Sequence, residues 1–475
     1  MRYPYDMWAH LIAIDNPYDY TTIPEARELW HLIWRNIFNF IGISSSDILL
    51  RAKIIHIVQS LISFGTVYLF SLVVIRNIYK KSDKLHHKYM AYWSTVIWFT
   101  IFSTFSMYYH HTWIMWYSIS YQITLPLFWY ITALTIIIYL ENPSLKLKIF
   151  YILQILILSL FILQIHSMEY IYYILYLITL STIYFNKSIY ILKKYFYILI
   201  PILILIILFS KSYQAEDTRL LDFIYKAQFM DLYNLIIHEG NIIVNSLNRS
   251  TSAINELMYF ILFMTILLLI FIKNNFIDTD KKILIFLIIT SLFILIPLFS
   301  FSAGLSALLT KINVIHRIYY SSSLFILLPI SVYYLVSRFK NPLYIFNISI
   351  ITILLSITLY SKYISTSHNY YKNILSLKES IEGDKVRFNL SSSEIKLIGD
   401  KLHLYKNKYN NSLFFYARPD ILVVLKYIYR EDVYWRGRRA TPSLEEFNKF
   451  CKINDIKNCV IFKTPINFPE YKPYL

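Results

Sequence analysis

Glycine, cysteine and charge are all scarce in this chain: 7 glycines and two cysteines in 475 residues, with 16% charged. Soluble domains run nearer a quarter charged. Few glycines, with Pro201, Pro297 and Pro329 the main prolines inside apolar runs, argue against the interrupted spans that many ion-coupled transporters place near the bilayer midplane. Cys451 and Cys459 are too few for a disulfide scaffold or a structural zinc site. A bond between them requires an oxidising compartment, and the sequence alone favours two free thiols. The opening Met1-Arg2-Tyr3-Pro4-Tyr5-Asp6 has no apolar run of the kind a cleavable signal peptide needs. No internal repeat or low-complexity tract is visible.

What the chain does have is apolar sequence, 57% of it, gathered into long blocks separated by short charged stretches. A helix of roughly 20 apolar residues crosses the hydrocarbon core and satisfies its own backbone groups there. A β-barrel would show short alternating segments instead. About ten spans are expected, near 54–76, 89–108, 122–140, 148–165, 169–186, 195–210, 257–272, 283–300, 318–337 and 343–360. The fold class read from this pattern is an all-α polytopic membrane protein with a small C-terminal α/β extramembrane domain.

The net charge of +17 would suggest nucleic acid in a soluble protein. Here much of the excess sits in short loops, as the positive-inside rule requires, so nucleic acid is not an expected partner. One set of loops carries Arg76, Lys80, Lys81, Lys84 and Lys88, then Lys146 and Lys148, then Lys187, Lys193 and Lys194, then Lys273, Lys281 and Lys282, then Arg338 and Lys340. That set is read as cytoplasmic, in a bacterial inner membrane. Segment 1–53, the spans 54–360 and the tail 361–475 then form three parts, with the first and last outside the cytoplasm. An N-terminus outside with no preceding span suggests a further span upstream.

Within segment 1–53, Trp30, Ile33, Trp34, Ile37, Phe38 and Ile41 recur at helical spacing, opposite His31, Arg35, Asn36 and Asn39. This predicts an amphipathic helix lying in the interface plane with two tryptophans, stopped at Gly42. In the tail, 361–382 reads as a helix. Beyond it, strands are expected at Ser412–Ala417, Val433–Trp435 and Cys459–Phe462, with helices at Pro419–Tyr429 and Ser443–Ile453.

The spans hold almost no ionisable residue, whereas channels and ion-coupled transporters place such groups inside the bundle. Polar chemistry is expected in the exterior loops, as suits an enzyme acting on a lipid-linked substrate at the outer interface. Asp6 and His10, four apart, share a helix face; a carboxylate there can serve as general base and a histidine can orient it or meet phosphate. The same residues also make an ordinary solvated loop. His110 and His111 follow a span end and can meet a pyrophosphate, though adjacent histidines do not converge well on one metal. His316 and Arg317 sit in the apolar loop 301–317, where an arginine can clamp a lipid phosphate or simply anchor to headgroups. The long loop 211–256 exceeds what a connection needs and reads as a lid. The Arg436-Gly437-Arg438-Arg439 cluster reads as a basic face that could also meet anionic headgroups.

Tyr5-Asp6-Met7-Trp8-Ala9-His10-Leu11 resembles the Asp-x-x-x-His-Leu opening of the first exterior loop in some membrane glycosyltransferases of the GT-C superfamily. Leu29-Trp30-His31-Leu32-Ile33-Trp34 resembles the interfacial helix that follows, with Arg51 entering a span. The resemblance implies a many-span enzyme using a polyprenyl-phosphate-linked sugar, an acidic base in that loop and a C-terminal exterior domain. By position Asp6 is the base and Arg317 a partner of the donor phosphate. His31, Arg35, His110, His111 and His316 join it as substrate or lipid-phosphate contacts. The expected partners are a lipid-linked sugar donor, a glycan, lipid or protein acceptor, and membrane lipids. No cofactor and no metal ligand are assigned, which leaves room for a divalent metal. Two alternatives stand beside this reading: an O-antigen polymerase or ligase, and a flippase for lipid-linked sugars.

Overall fold

The computed structural model describes residues 14, 28–44, 48–79, 84–102, 121–165, 167–190, 231–272, 281–309, 318, 321–337, 339–364, 392–408, 413–417, 419–429, 431–434 and 444–462. They are mostly helical, with one small sheet. The first helix, α1, runs Glu28–Ile41. It stops as expected at Gly42, whose φ of 72 is the left-handed conformation that lets a chain leave a helix. The Gly42 and Ile43 amides donate back to the Asn39 and Phe38 carbonyls, satisfying acceptors that a helix end leaves open.

One part of the expected interface helix is overturned. Trp30, Trp34 and Phe38 all turn into the protein, Trp30 being only 2% exposed. Leu32, Ile37, Phe40 and Ile41 are its exposed large apolar side chains. Trp34 and Phe38 stack at 5.5 Å, and aromatic stacking of this kind adds to the burial of both rings.

Helix α2 spans Ile48–Ile78. It is followed by α3, Lys84–Ile97, which loosens into a single π turn at Trp98–Phe102. Next come α4, Tyr121–Leu140, α5, Leu145–Ile165, and α6, Ser167–Ile183. Ser167–Tyr170 form the first turn of α6. Three helices here are long and apolar enough to cross a membrane: Leu50–Ile78, Ile123–Leu140 and Leu145–Leu163. Shorter apolar stretches follow at Glu169–Ile183, Tyr259–Ile270, Leu324–Val336 and Pro342–Ser356. The expected span 195–210 lies outside the described residues.

The loop expected over 211–256 is largely helix. Helix α7 runs unbroken for 41 residues, Leu232–Ile272. Asn241, Asn245 and Arg249 interrupt its apolar run but not its backbone pattern. Asp231 caps it, accepting from the Asn234 amide at 3.0 Å. Helix α8 is Lys281–Leu292 and tightens into a 3-10 turn at Phe293–Leu298, where Pro297 sits. The loop expected over 301–317 likewise begins as helix α9, Ser300–Leu309. Its crossing with α7 uses two of the scarce glycines. A Cβ on Gly240 would stand 1.7 Å from the Ser300 carbonyl oxygen, and one on Gly304 would stand 1.9 Å from that of Ile236. Only glycine permits such an approach. Helix α10 is Leu324–Val336, and α11, Pro342–Ile364, starts on the proline that a first helical turn tolerates.

Hydroxyls inside these helices spend their hydrogen bonds locally. Ser63, Ser94, Thr95, Thr132, Thr265 and Ser331 each donate to the carbonyl one turn back, which removes the cost of an unsatisfied group in apolar surroundings.

The tail holds α12, Ser392–Lys408, then β1, Phe414–Tyr416, α13, Pro419–Tyr427, β2, Asp432–Val433, α14, Leu444–Ile453, and β3, Cys459–Ile461. The strands are parallel in the order β2-β1-β3, with α13 and α14 as the crossovers that parallel pairing demands. Phe414, Tyr434, Phe447 and Cys451 form their core. Cys451 and Cys459 are joined in a disulfide, against the expectation of free thiols. The chain divides into two compact units. One takes the described residues up to Ile57 and those from Ser392 onward; the other takes those from Val58 to Ile364.

Candidate functional site

Side-chain contacts sort the helical unit into two ends. At the first, the Arg76 guanidinium grips the Glu141 carboxylate with two nitrogens, Nε at 2.7 Å, and Asn77 donates to the same carboxylate at 3.0 Å. This brings the end of α2 beside the end of α4. Trp93 of α3 donates to Asn347 of α11 at 2.7 Å, and Tyr79 meets Tyr333 of α10 edge-on. Tyr139 and Ser181 bond at 3.1 Å, and the Lys282 ammonium stands over the Tyr184 ring at 5.4 Å. The loops that carry Arg76, Lys84, Lys88, Lys146, Lys148, Lys187, Lys281, Lys282 and Lys340 therefore share one end.

The opposite end is made by the starts of α4, α6 and α10, by α9 and by the first half of α7. Two carboxylates are buried there. Glu169, in the first turn of α6, is 2% exposed and accepts from the fully buried Thr124 of α4 at 3.3 Å. Glu239 of α7 is also buried, with the His238 ring 3.8 Å from its carboxylate. Among the described residues of this unit no other carboxylate is buried. Holding one in an apolar bundle is costly, and such residues are working residues by default.

Below Glu169, at about 10 Å for seven residues of helix, Tyr176 donates to the Ser321 carbonyl at 2.6 Å. Ser321, Ser322 and Ser323 are all buried, and the Ser323 hydroxyl bonds those of Thr290 and Ser291. Phe128, Trp129, Phe286 and Phe325 surround this polar knot at ring distances of 5.2 Å for Phe128 and Tyr176 and 5.1 Å for Trp129 and Phe325. The knot lies four residues after Arg317 in sequence.

Of the residues singled out from sequence, Asp6, His10, His110, His111, His316, Arg317 and the cluster Arg436–Arg439 lie outside the described residues. His31 and Arg35 are described, both on α1 in the first unit. His31 is buried edge-on against Trp30 at 5.3 Å, and Arg35 donates through Nε to the Ile14 carbonyl at 2.8 Å. These contacts hold the local fold. Arg51 does similar work, its guanidinium lying 4.7 Å from the Phe38 ring and bonding the Ile43 carbonyl.

Among the described residues no three histidine, cysteine, aspartate or glutamate side chains gather as a metal would require. Sequence reading assigned no role to Glu169 and placed Glu239 only among the charges of the loop 211–256. For Glu169 a signal existed: it is a single acid at the head of an apolar run that continues to Ile183. No family model matches the chain, and neither does any curated protein or solved structure.

Proposed function

We propose that the chain is a polytopic membrane glycosyltransferase of the GT-C kind. It transfers a sugar from a polyprenyl-phosphate donor to an acceptor hydroxyl at the end of the bundle away from the basic loops. The observation that carries this reading is the two-ended helical unit: lysine and arginine gather at one end, and the buried carboxylates Glu169 and Glu239 at the other. By the positive-inside rule the basic end faces the cytoplasm, and about ten spans then alternate between the two faces. The resemblance around Asp6 and His10 supplies the reaction class. The Cys451–Cys459 disulfide fits a tail on the oxidising side of the membrane.

In this mechanism the acceptor O–H gives its proton to the Asp6 carboxylate, oriented by His10. The oxygen attacks the anomeric carbon, and the bond from that carbon to the phosphate oxygen breaks. The electron pair leaves on the polyprenyl phosphate, whose charge Arg317 and His316 offset, with His110 and His111 from the neighbouring exterior loop. The test is a turnover assay on membranes supplied with a polyprenyl-phosphate sugar, comparing wild type with Asp6→Asn. Wild type should release polyprenyl phosphate, and the variant should lose at least about a hundredfold, as removal of a general base does. Equal release by both removes Asp6 from the mechanism, and no release by wild type removes the transferase reading.

A further inference from the structure

We propose that the seam between α3 and α11, at the basic end of the bundle, binds an anionic phospholipid, with its phosphate between Lys88 and Lys340 and its acyl chains along α11. Both helices start at that end. Trp93 of α3 donates to Asn347 of α11 across the seam at 2.7 Å, and this bond fixes the heights of what precedes it. At the rise of a helix, Tyr89 and Tyr344 stand about 6 and 5 Å before it. Lys88 and Pro342, the first residue of α11, both stand about 8 Å before it. Lys340 therefore enters near the level of Lys88. Tyr333 of α10 closes the back of the seam, with its ring 5.7 Å from those of His86 on α3 and Phe346 on α11.

The front of the seam is open. Seen from the helix starts, at about 100° per residue, Tyr89 and Tyr92 lie anticlockwise of Trp93. Tyr344, Ile348 and Ile351 lie clockwise of Asn347. In two parallel helices side by side these directions face the same way, and all five side chains are exposed. Lys88 and Lys340 are exposed too, and among the described residues no carboxylate pairs with either. Water gives no reason for the apolar strip that continues from Ile348 to Leu355. Lipid chains alone give no reason for two unpaired ammonium groups. Ammonium groups at the end, phenol hydroxyls one turn on and an apolar strip beyond follow the profile of a phospholipid from phosphate to glycerol to chain. A zwitterionic lipid carries its own ammonium to offset the phosphate, so the lysines favour a headgroup of net negative charge. The inference rests on the membrane reading but not on sugar transfer, and it concerns the end of the bundle opposite the buried carboxylates.

The test places the full chain in nanodiscs of phosphatidylcholine with a minor share of phosphatidylglycerol. Lipids that stay on the protein in mild detergent are counted by native mass spectrometry. Wild type should retain phosphatidylglycerol in preference. Lys88→Gln with Lys340→Gln should lower that retention by at least about fivefold, the weight of one lysine at an anionic surface. Lys146→Gln with Lys281→Gln, an equal loss of exposed charge at the same end, should leave it nearly unchanged. Equal loss in both pairs overturns the proposal, because the end then attracts anionic lipid by its overall charge alone. Equal retention of phosphatidylcholine overturns it, because the seam then does not select charge. Displacement of the lipid by soluble glycerophosphoglycerol also overturns it, because the chains then contribute nothing. Carbonate extraction separates the premises. A chain that carbonate releases refutes the membrane reading itself, whereas a chain that stays embedded and gives any of these three results refutes this site alone.

Discussion

The three-stranded sheet of the tail and the helices beside it bury their aromatic core in protein, while the helical unit leaves many of its large apolar side chains uncovered. Phe414, Phe415, Phe447 and Phe462 are all buried. In the helical unit, α4 and α5 are alike in mean hydropathy, 2.0 and 2.1, yet the apolar stretch of α4 is 72% buried and that of α5 only 11%. Phe150, Leu153 and Ile157 of α5 stand open. Water would not tolerate such a helix, whereas lipid supplies the missing contacts. The difference teaches that the sheet is built to exclude water by itself, and the helical unit to share that task with a bilayer.

The comparison breaks first at Phe447. Its ring packs against Phe414 at 6.2 Å and Tyr416 at 5.0 Å, so Phe447→Ala should cost about 3–5 kcal/mol through a cavity that neighbours cannot fill. Limited proteolysis of the full chain should then cut within 414–462 at far lower denaturant. The matching change in the helical unit is Leu153→Arg. On a watery surface it would be nearly neutral, but at the middle of a lipid-facing span it should cost about 2.5–3.5 kcal/mol. A drop in membrane-inserted yield, measured by carbonate extraction, is expected. Unchanged yield would show that α5 faces water or a polar cavity. Next in size is the disulfide. The short loop between Cys451 and Cys459, a separation of 8, should contribute about 2.5 kcal/mol on loop-closure grounds. Cys451→Ser or mild reductant should loosen the sheet unit without altering insertion of the spans, a contrast that proteolysis and extraction measured together will show.

How far the sequence foretold this follows from the same division of solvent. Apolar runs were legible because lipid selects them residue by residue: α2, α4 and α5 fall close to the expected spans. The small sheet was legible too, since Phe414–Tyr416 and Cys459–Ile461 are compact apolar runs between turn residues. Helix α12 went unread because its buried contacts, Ile398 and Leu402, are thin within a polar sequence. The first half of α7 read as loop for a related reason: polar residues interrupt its apolar run, but a helix outside lipid needs no such run. The inward turn of Trp30 and Trp34 was not legible, and the burial of Glu169 was hinted at only by its place as a single acid at the head of an apolar run. Both depend on which neighbour a side chain meets, which spacing within one helix does not encode. The residues expected to carry the chemistry, Asp6 and Arg317 foremost, rest on sequence alone.

The smallest effect expected is at the start of α7, and it marks where that long helix leaves lipid-type surroundings for water. The hydrogen bond from the Asn234 amide holds the Asp231 carboxyl below the ordinary aspartate range, because the bond favours the charged form. A lowered carboxyl adds stability that is present above its unfolded pKa and is lost as pH falls through the folded value. Acidification below the usual aspartate range should therefore fray the first turn of α7. Asp231→Ala should fray it at neutral pH and remove the acid dependence, since no carboxylate is left to protonate. Amide exchange at Asn234 should rise in both cases and stay unchanged near Ile261, deep in the apolar stretch of the same helix. An acid-insensitive Asn234 in the wild type would mean that the first turn of α7 is not capped in water, and the boundary between the two solvents would move towards the N-terminus.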